Sequence, residues 1–268
     1  MLLIDSAGLS DVGRKRRENQ DCFCVEDRLK LYIVADGMGG HLAGEVAGRM
    51  VVDSIRNYFI ALKDNHNDPP QARHESSLSS KANHLLSAVA YANAQVYQAS
   101  MEQPDYRGMG STVAALLFTP DTFVSANVGD SSIYLIHENK IEQLSVPHTV
   151  VAQTDLNVEV HPVYGSDFQH LLTRGIGIED EVEPDFCESS YYDGDRFIIC
   201  SDGLSDKVRP AEIMEIASEG TPRTICRTLV DLANDRGGDD NTTVVALVVG
   251  KKMVLWPRVR HIVEGFWR

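Results

Sequence analysis

Five stretches of this chain set aspartate beside glycine or asparagine at the end of an apolar run or in a tight turn. They are Glu18-Asn19-Gln20-Asp21, Ala35-Asp36-Gly37-Met38-Gly39-Gly40, Val128-Gly129-Asp130-Ser131, Cys200-Ser201-Asp202-Gly203 and Gly237-Gly238-Asp239-Asp240-Asn241. Strand ends place side chains at the edge of a rigid core, and glycine lets backbone carbonyls and water come close. One Asp-Gly alone is ordinary turn chemistry. Its recurrence five times in one chain points further. Carboxylates converging at one place repel each other unless a cation sits among them. An oxygen-only donor set without Cys or His selects a hard ion, Mg²⁺ or Mn²⁺, over zinc.

The elements that must position these residues follow from the apolar pattern. Leu31–Asp36 is a short buried run entering a glycine turn and reads as a strand. Leu42, Val46, Met50, Val51, Ile55, Tyr58, Phe59 and Leu62 recur at helical spacing. Residues 63–80 are polar, carry Pro69-Pro70 and read as a surface loop. A second helix presents Leu85, Leu86, Val89, Ala92 and Val96 on one face. From residue 110 the texture becomes β: runs at 111–118, 123–130, 132–137 and 141–144 are joined by short turns. Residues 146–184 are irregular. A hairpin spans 185–202, Thr221-Pro222 starts a helix ending near Asp235, and 242–249 is a closing strand. Helices and antiparallel strands segregated in this way predict an α+β sandwich, with one domain over residues 1–250.

Composition narrows the classes of function. The 268 residues hold 39 Asp and Glu against 25 Lys and Arg, a formal charge of −14. Such a chain repels nucleic acid and anionic membranes. The apolar runs fall short of the roughly 20 residues that span a bilayer, and the first residues lack the basic and apolar regions of a signal peptide. Five scattered cysteines (Cys22, Cys24, Cys187, Cys200, Cys226) form no CxxC pair and read as reduced structural thiols in the cytoplasm. The segment 251–268 differs: it holds five Lys or Arg, one Glu and both tryptophans, Trp256 and Trp267. It reads as a tail that packs on its own domain or contacts a partner or membrane surface.

Seven motifs carry a resemblance. DVGRKRRENQD (11–21), VADGMGGHLAGE (34–45), GMGSTVAALLF (108–118), ANVGDSSIYL (126–135), LLTRGIG (171–177), CSDGLSD (200–206) and GGDDNTTVVAL (237–247) occur in the order found in the metal-dependent serine/threonine protein phosphatases of the type 2C (PPM) family, in the bacterial style. The resemblance covers about residues 7–249. It implies a four-layer αββα sandwich, two antiparallel sheets flanked by helices. It further implies two catalytic Mn²⁺ or Mg²⁺ ions and a third, weaker one. Asp36 resembles the metal-bridging aspartate, with the Gly37 carbonyl on one ion and Asp202 and Asp240 as the remaining ligands. Asp21 matches the aspartate that touches the site through metal-bound water. Asp130, sharing Asp202, resembles the ligand of the third ion. Arg16 matches the phosphate-binding arginine, with Arg14 and Arg17 as rivals on spacing alone. Asn241 and Asp239 match supporting positions. The implied reaction is hydrolysis of phosphoserine and phosphothreonine in proteins by a hydroxide shared between two ions, opposing a Ser/Thr kinase.

The chain departs from the family at several points. Met38 stands where eukaryotic members often carry a His that could serve as general acid. Ser132 replaces the arginine of Gly-Asp-Ser-Arg, Pro147-His148-Thr149 replaces Asp-His-Ser, and the stretch leading to Leu171 is short for the family's flap. His148 reads as a packing or surface histidine, with orientation of a loop as the alternative. A dinucleotide site is the tempting rival at 31–62, but the glycines do not form GxGxxG, and Asp36 would face the pyrophosphate with a like charge. A catalytically weak member serving as a metal-binding regulatory module is the alternative from another class.

Overall fold

The computed structural model describes residues 2–40, 43–64, 76–153 and 171–251. The helix position Leu42, most of the 63–80 loop, much of the short stretch before Leu171 and the tail beyond residue 251 lie outside the described residues.

Strands β1 (Leu2–Asp11), β2 (Asp21–Glu26) and β3 (Leu31–Met38) lead into helices α1 (Ala43–Lys63) and α2 (Ser80–Glu102). Then follow β4 (Gly110–Ser111), β5 (Val113–Phe118), β6 (Thr122–Val128), β7 (Ser132–His137), β8 (Lys140–Gln143) and a short α3 (Val150–Gln153). The chain continues through β9 (Asp185–Ser190), β10 (Arg196–Cys200), α4 (Asp202–Ser205), α5 (Pro210–Ser218), α6 (Pro222–Asp235) and β11 (Thr242–Lys251).

One antiparallel sheet runs β1-β11-β10-β7-β8; the other runs β2-β3-β5-β6-β9, with β4 added beside β3. Alternation along β3 shows how they stack. Leu31, Ile33 and Ala35 pack against α1 and α2, including Val51, Ile55, Leu85 and Val89. Tyr32 and Val34 point the other way, into a layer shared with Phe197, Ile199, Val245 and Leu247 of the opposite sheet. The outer face of that sheet, with Ile198, Val244 and Ala246, is covered by Ile213, Ile225, Leu229 and Val230 of α5 and α6. Period-2 strands between amphipathic helices therefore give four layers, as the resemblance implied. Phe197 meets Phe118 and Phe123 edge-on at 5.1 and 5.0 Å between the sheets.

Helix ends obey their local signals. The Ser79 hydroxyl caps α2 through the Ala82 amide at 3.0 Å. Thr221 caps α6, with Pro222 in its first turn, and the helix ends at Asp235 as expected. The sequence pattern left out β1 and β2. Both are sheet edges with mixed, half-buried faces, so neither shows a strict apolar alternation. All five cysteines are free thiols, and burial pushes those of Cys200 and Cys226 up.

Candidate active site

The five aspartate stretches meet at one end of the sandwich. Asp21 opens β2 and lies directly opposite Asp36 in the β2–β3 register. Like charges in that relation destabilise a sheet unless something neutralises them. Asp130 follows the end of β6, Asp202 follows β10, and Asp240 precedes β11. A cleft of about 1000 Å³ is lined by Asp36, Gly37, Asp130, Asp202, Asp240 and Arg16, among others. Asp21 is buried behind it.

Backbone and hydroxyl hydrogen bonds hold Asp36, Asp21 and the residues beside Asp130 and Asp202. The Asp36 amide donates to Thr112 Oγ1 at 2.9 Å, and the Asp36 carbonyl accepts from the Thr112 amide at 2.8 Å and the Ser111 hydroxyl at 3.0 Å. Thr112 Oγ1 lies 2.7 Å from the Ser131 hydroxyl, next to Asp130. Ser201, next to Asp202, donates to Asp21 Oδ2 at 2.8 Å and accepts from the Thr243 amide. The Gly37 amide donates to the Gln20 carbonyl at 3.1 Å. A Cβ at Gly37 would lie 1.9 Å from the Gly44 carbonyl oxygen, so only glycine fits between β3 and the start of α1.

Burial pushes the Asp21 carboxyl up to about 6, with the charge of Asp240 adding to it and the Thr243 and Ser201 side chains opposing it. Asp36 is raised well above the usual carboxylate range, first by burial and then by Asp21, Asp202, Asp130 and Asp240. Asp202 is raised by burial and then by Asp130, Asp206, Asp240 and Asp21. Asp21 Oδ1 is buried without a hydrogen-bond partner among the described residues. An orphaned buried oxygen within a ring of mutually repelling carboxylates fits a hard divalent cation. No three of the His, Cys, Asp or Glu side chains among the described residues already form a metal-holding group.

Arg16 is the arginine of its loop that reaches the site: its Nη2 donates to Asp240 Oδ2 at 2.7 Å. Arg14 and Arg17 do not line the cleft. Gly13, at φ +81°, turns the chain against the Asp240 backbone, where no side chain would fit. Asn241 stitches this loop in place. Its Oδ1 accepts from the Gln20 amide at 2.8 Å, and its Nδ2 donates to the Val12 and Glu18 carbonyls at 3.0 and 2.9 Å. Asp239 stands apart from the carboxylate ring in its chemistry. Hydrogen bonds from Lys15 and Lys207 hold its carboxyl low, at about 2, and fix both cations on the rim of the cleft.

The sequence pattern had not singled out Thr112, Ser131, Lys15, Lys207 or Asp206. The spacing of Asp202 and Asp206, one helical turn, is the signal that could have found the last. Nor does the geometry favour a dinucleotide: β3 enters α1 from an antiparallel sheet, without the parallel βαβ unit that such a site requires.

Two antiparallel sheets between helix pairs, with aspartates gathered at the strand ends, are the architecture that the resemblance implied. The Protein phosphatase 2C family model matches residues 13–228, and the chain belongs to that family. Protein phosphatase PhpP of Streptococcus pneumoniae is 31% identical over 255 residues, which cover 91% of this chain and 97% of that protein. The crystal structure of the catalytic domain of the serine/threonine protein phosphatase PstP, in complex with two manganese ions, matches with a TM-score of 0.74 at 32% identity. It covers 94% of this chain and all of that one. The Streptococcus agalactiae serine/threonine phosphatase matches with a TM-score of 0.78 at 30% identity, over 92% of this chain and 99% of that one. The chain is accordingly a phosphatase enzyme.

Proposed function

We propose that this enzyme removes phosphate from phosphoserine and phosphothreonine in proteins, with two Mn²⁺ or Mg²⁺ ions held by Asp36, the Gly37 carbonyl, Asp202 and Asp240. Asp21 supports the pair from behind, and Asp130 with Asp202 holds a third, weaker ion. The observation that carries the reading is the opposed pair of buried Asp21 and half-buried Asp36, set among further carboxylates that raise Asp36. When bound, such ions lower the pKa of water and offset the roughly two negative charges of a phosphomonoester.

The chain's own residues bind and orient. Arg16 exchanges Asp240 for phosphate oxygens, which it meets with charge-assisted hydrogen bonds. Asn241 keeps the Arg16 loop in register with the Asp240 turn. Lys15 and Lys207, anchored on Asp239, add positive charge at the rim. Residues 1–250 form the catalytic domain in this reading, and the basic, aromatic segment 251–268 is an appendage of it. A Ser/Thr kinase supplies the phosphoproteins. The free thiols support a reducing, cytoplasmic setting, and no helix among the described residues is long and apolar enough to cross a membrane.

Turnover of an aryl phosphate tests this and separates it from a weak regulatory module. Mn²⁺-dependent hydrolysis is expected, abolished by EDTA and by Asp36→Asn or Asp202→Asn. Undiminished activity in those variants overturns the reading.

A further inference from the structure

His148 sits in no catalytic motif of this chain, yet it is fully buried and bonded on every side. Its main-chain amide donates to the Gly129 carbonyl at 2.9 Å, while its ring Nδ1 accepts from the Gly129 amide at 3.2 Å. Both polar groups of Gly129, the residue before Asp130, are thus claimed by one histidine. Gly129 has φ +97°, and a Cβ there would meet the Thr112 side chain at 2.6 Å, so the turn is tightly shaped. Because Nδ1 accepts, Nε2 carries the ring proton and donates to Asp185 Oδ2 at 2.9 Å. Asp185 is in turn held by Arg174 at 3.4 Å, and Arg174 also bonds the Glu183 carbonyl at 3.1 Å.

The same residue holds the far side of the cleft. The His148 carbonyl accepts from the Thr173 amide at 2.8 Å, and Thr149 bridges Leu172. Thr173, Arg174 and Asp130 all line the cleft. A purely space-filling side chain would keep the main-chain bonds but leave the Gly129 amide and Asp185 without their ring partners.

We propose that His148 is a positioning residue: through Nδ1 it fixes the Gly129 turn and so aims Asp130 at the third, weaker cation. The proposal rests on the metal-site reading given above. Groups one shell behind a metal ligand characteristically change metal affinity by about 10–100-fold when removed. Loss of the Nδ1 acceptor leaves the Gly129 amide buried and unsatisfied, which favours relaxation of the turn.

Two substitutions separate the ring nitrogens. Asparagine places its amide oxygen near the Nδ1 position, whereas glutamine reaches the Nε2 position and leaves Gly129 without an acceptor. The test titrates Mn²⁺ against the full chain, reading both melting temperature and para-nitrophenyl phosphate turnover, with melting in EDTA as the measure of fold stability. His148→Gln and Asp130→Asn should each raise the Mn²⁺ concentration of the weaker phase about tenfold, and His148→Asn should stay within about twofold of the parent. In an Asp130→Asn background, His148→Gln should add nothing. Equal effects of the two substitutions overturn the proposal. So does a His148→Gln effect that persists without Asp130, a silent Asp130→Asn, or a loss of melting temperature in EDTA with an unchanged titration. A parent protein indifferent to Mn²⁺ and EDTA would instead sink the phosphatase reading.

Discussion

Arg16 shows what residue type and spacing could and could not tell. Three arginines stand within four positions of each other, Arg14, Arg16 and Arg17, and spacing alone left them equivalent. The turn at Gly13 and the three hydrogen bonds of Asn241 break the tie by presenting Arg16 to Asp240. These contacts join positions more than 220 apart in the chain, which no local pattern encodes. The aspartates were readable because each sits beside its own glycine or asparagine. Thr112 and Ser131 were not, because a buried hydroxyl looks the same in sequence whether or not it holds a ligand. Removing Arg16 should separate binding from folding. Its ion pair is more than half exposed on the arginine side, and such pairs contribute about 0–1 kcal/mol, so Arg16→Ala should melt close to the parent. Its kcat/KM for a phosphopeptide should fall about 10–100-fold, equivalent to about 1.4–2.7 kcal/mol of lost binding to charged oxygens. Arg16→Lys should recover part of it. A normal kcat/KM in Arg16→Ala would assign the phosphate contact elsewhere, with Lys15 and Lys207 as the next candidates.

The strands and helices were readable in proportion to how one-sided their burial is. Strand β3, buried on both faces, and α6, with its cap, proline and apolar stripe, appear where the pattern places them. The edge strands β1 and β2 alternate weakly, and β2 spends its first position on a buried carboxylate instead of an apolar side chain. That exchange is functional: it brings Asp21 to face Asp36 at the expense of the local rule. The junction between β3 and α1 carries a further consequence. In the proposed site Gly37 offers its carbonyl to an ion, while its α-carbon passes the Gly44 and Gln20 backbones, where a Cβ would meet the two carbonyl oxygens at 1.9 and 2.8 Å. Backbone cannot step aside as a flexible side chain can. Gly37→Ala should therefore destabilise the fold by about 1–3 kcal/mol, the usual cost of overpacking, and weaken Mn²⁺ binding as well. Thermal melting with and without Mn²⁺ measures both effects. A variant that melts normally and titrates normally would show that the junction has slack not visible in the contact distances.

Charge on the whole molecule divides unevenly: residues 251–268 carry a formal +4, which leaves −18 on residues 1–250. Part of that excess is concentrated where the sheets end, and there it makes folding depend on cations and protons. Without metal, the folded protein holds protons on Asp21, Asp36 and Asp202 more tightly than the unfolded chain does, since all three are raised by burial and by each other or Asp240. A carboxyl whose folded pKa is raised favours folding at low pH. For Asp21 that contribution is present below its ordinary value of 3.8 and lost as pH rises through about 6. His148 works in the opposite direction, because burial lowers it and its protonation is resisted in the folded state. The melting temperature in EDTA alone would therefore mix the two. The difference between melting with Mn²⁺ and melting with EDTA at each pH cancels whatever part of the His148 effect does not act through the ion sites, and in a His148→Asn background it reports the carboxylates alone. Ions bind the ionised carboxylates only, so this difference should be largest near pH 7.5 and shrink toward zero as pH falls through about 6 to 5. At Mn²⁺ a hundred times above its dissociation constant, the upper end corresponds to about 2.7 kcal/mol of added stability for one ion. Salt should raise the EDTA melting temperature by screening the repelling carboxylates and change the Mn²⁺-loaded value less. A metal-induced difference that stayed flat between pH 5 and 7.5 would mean that these aspartates do not receive the ion.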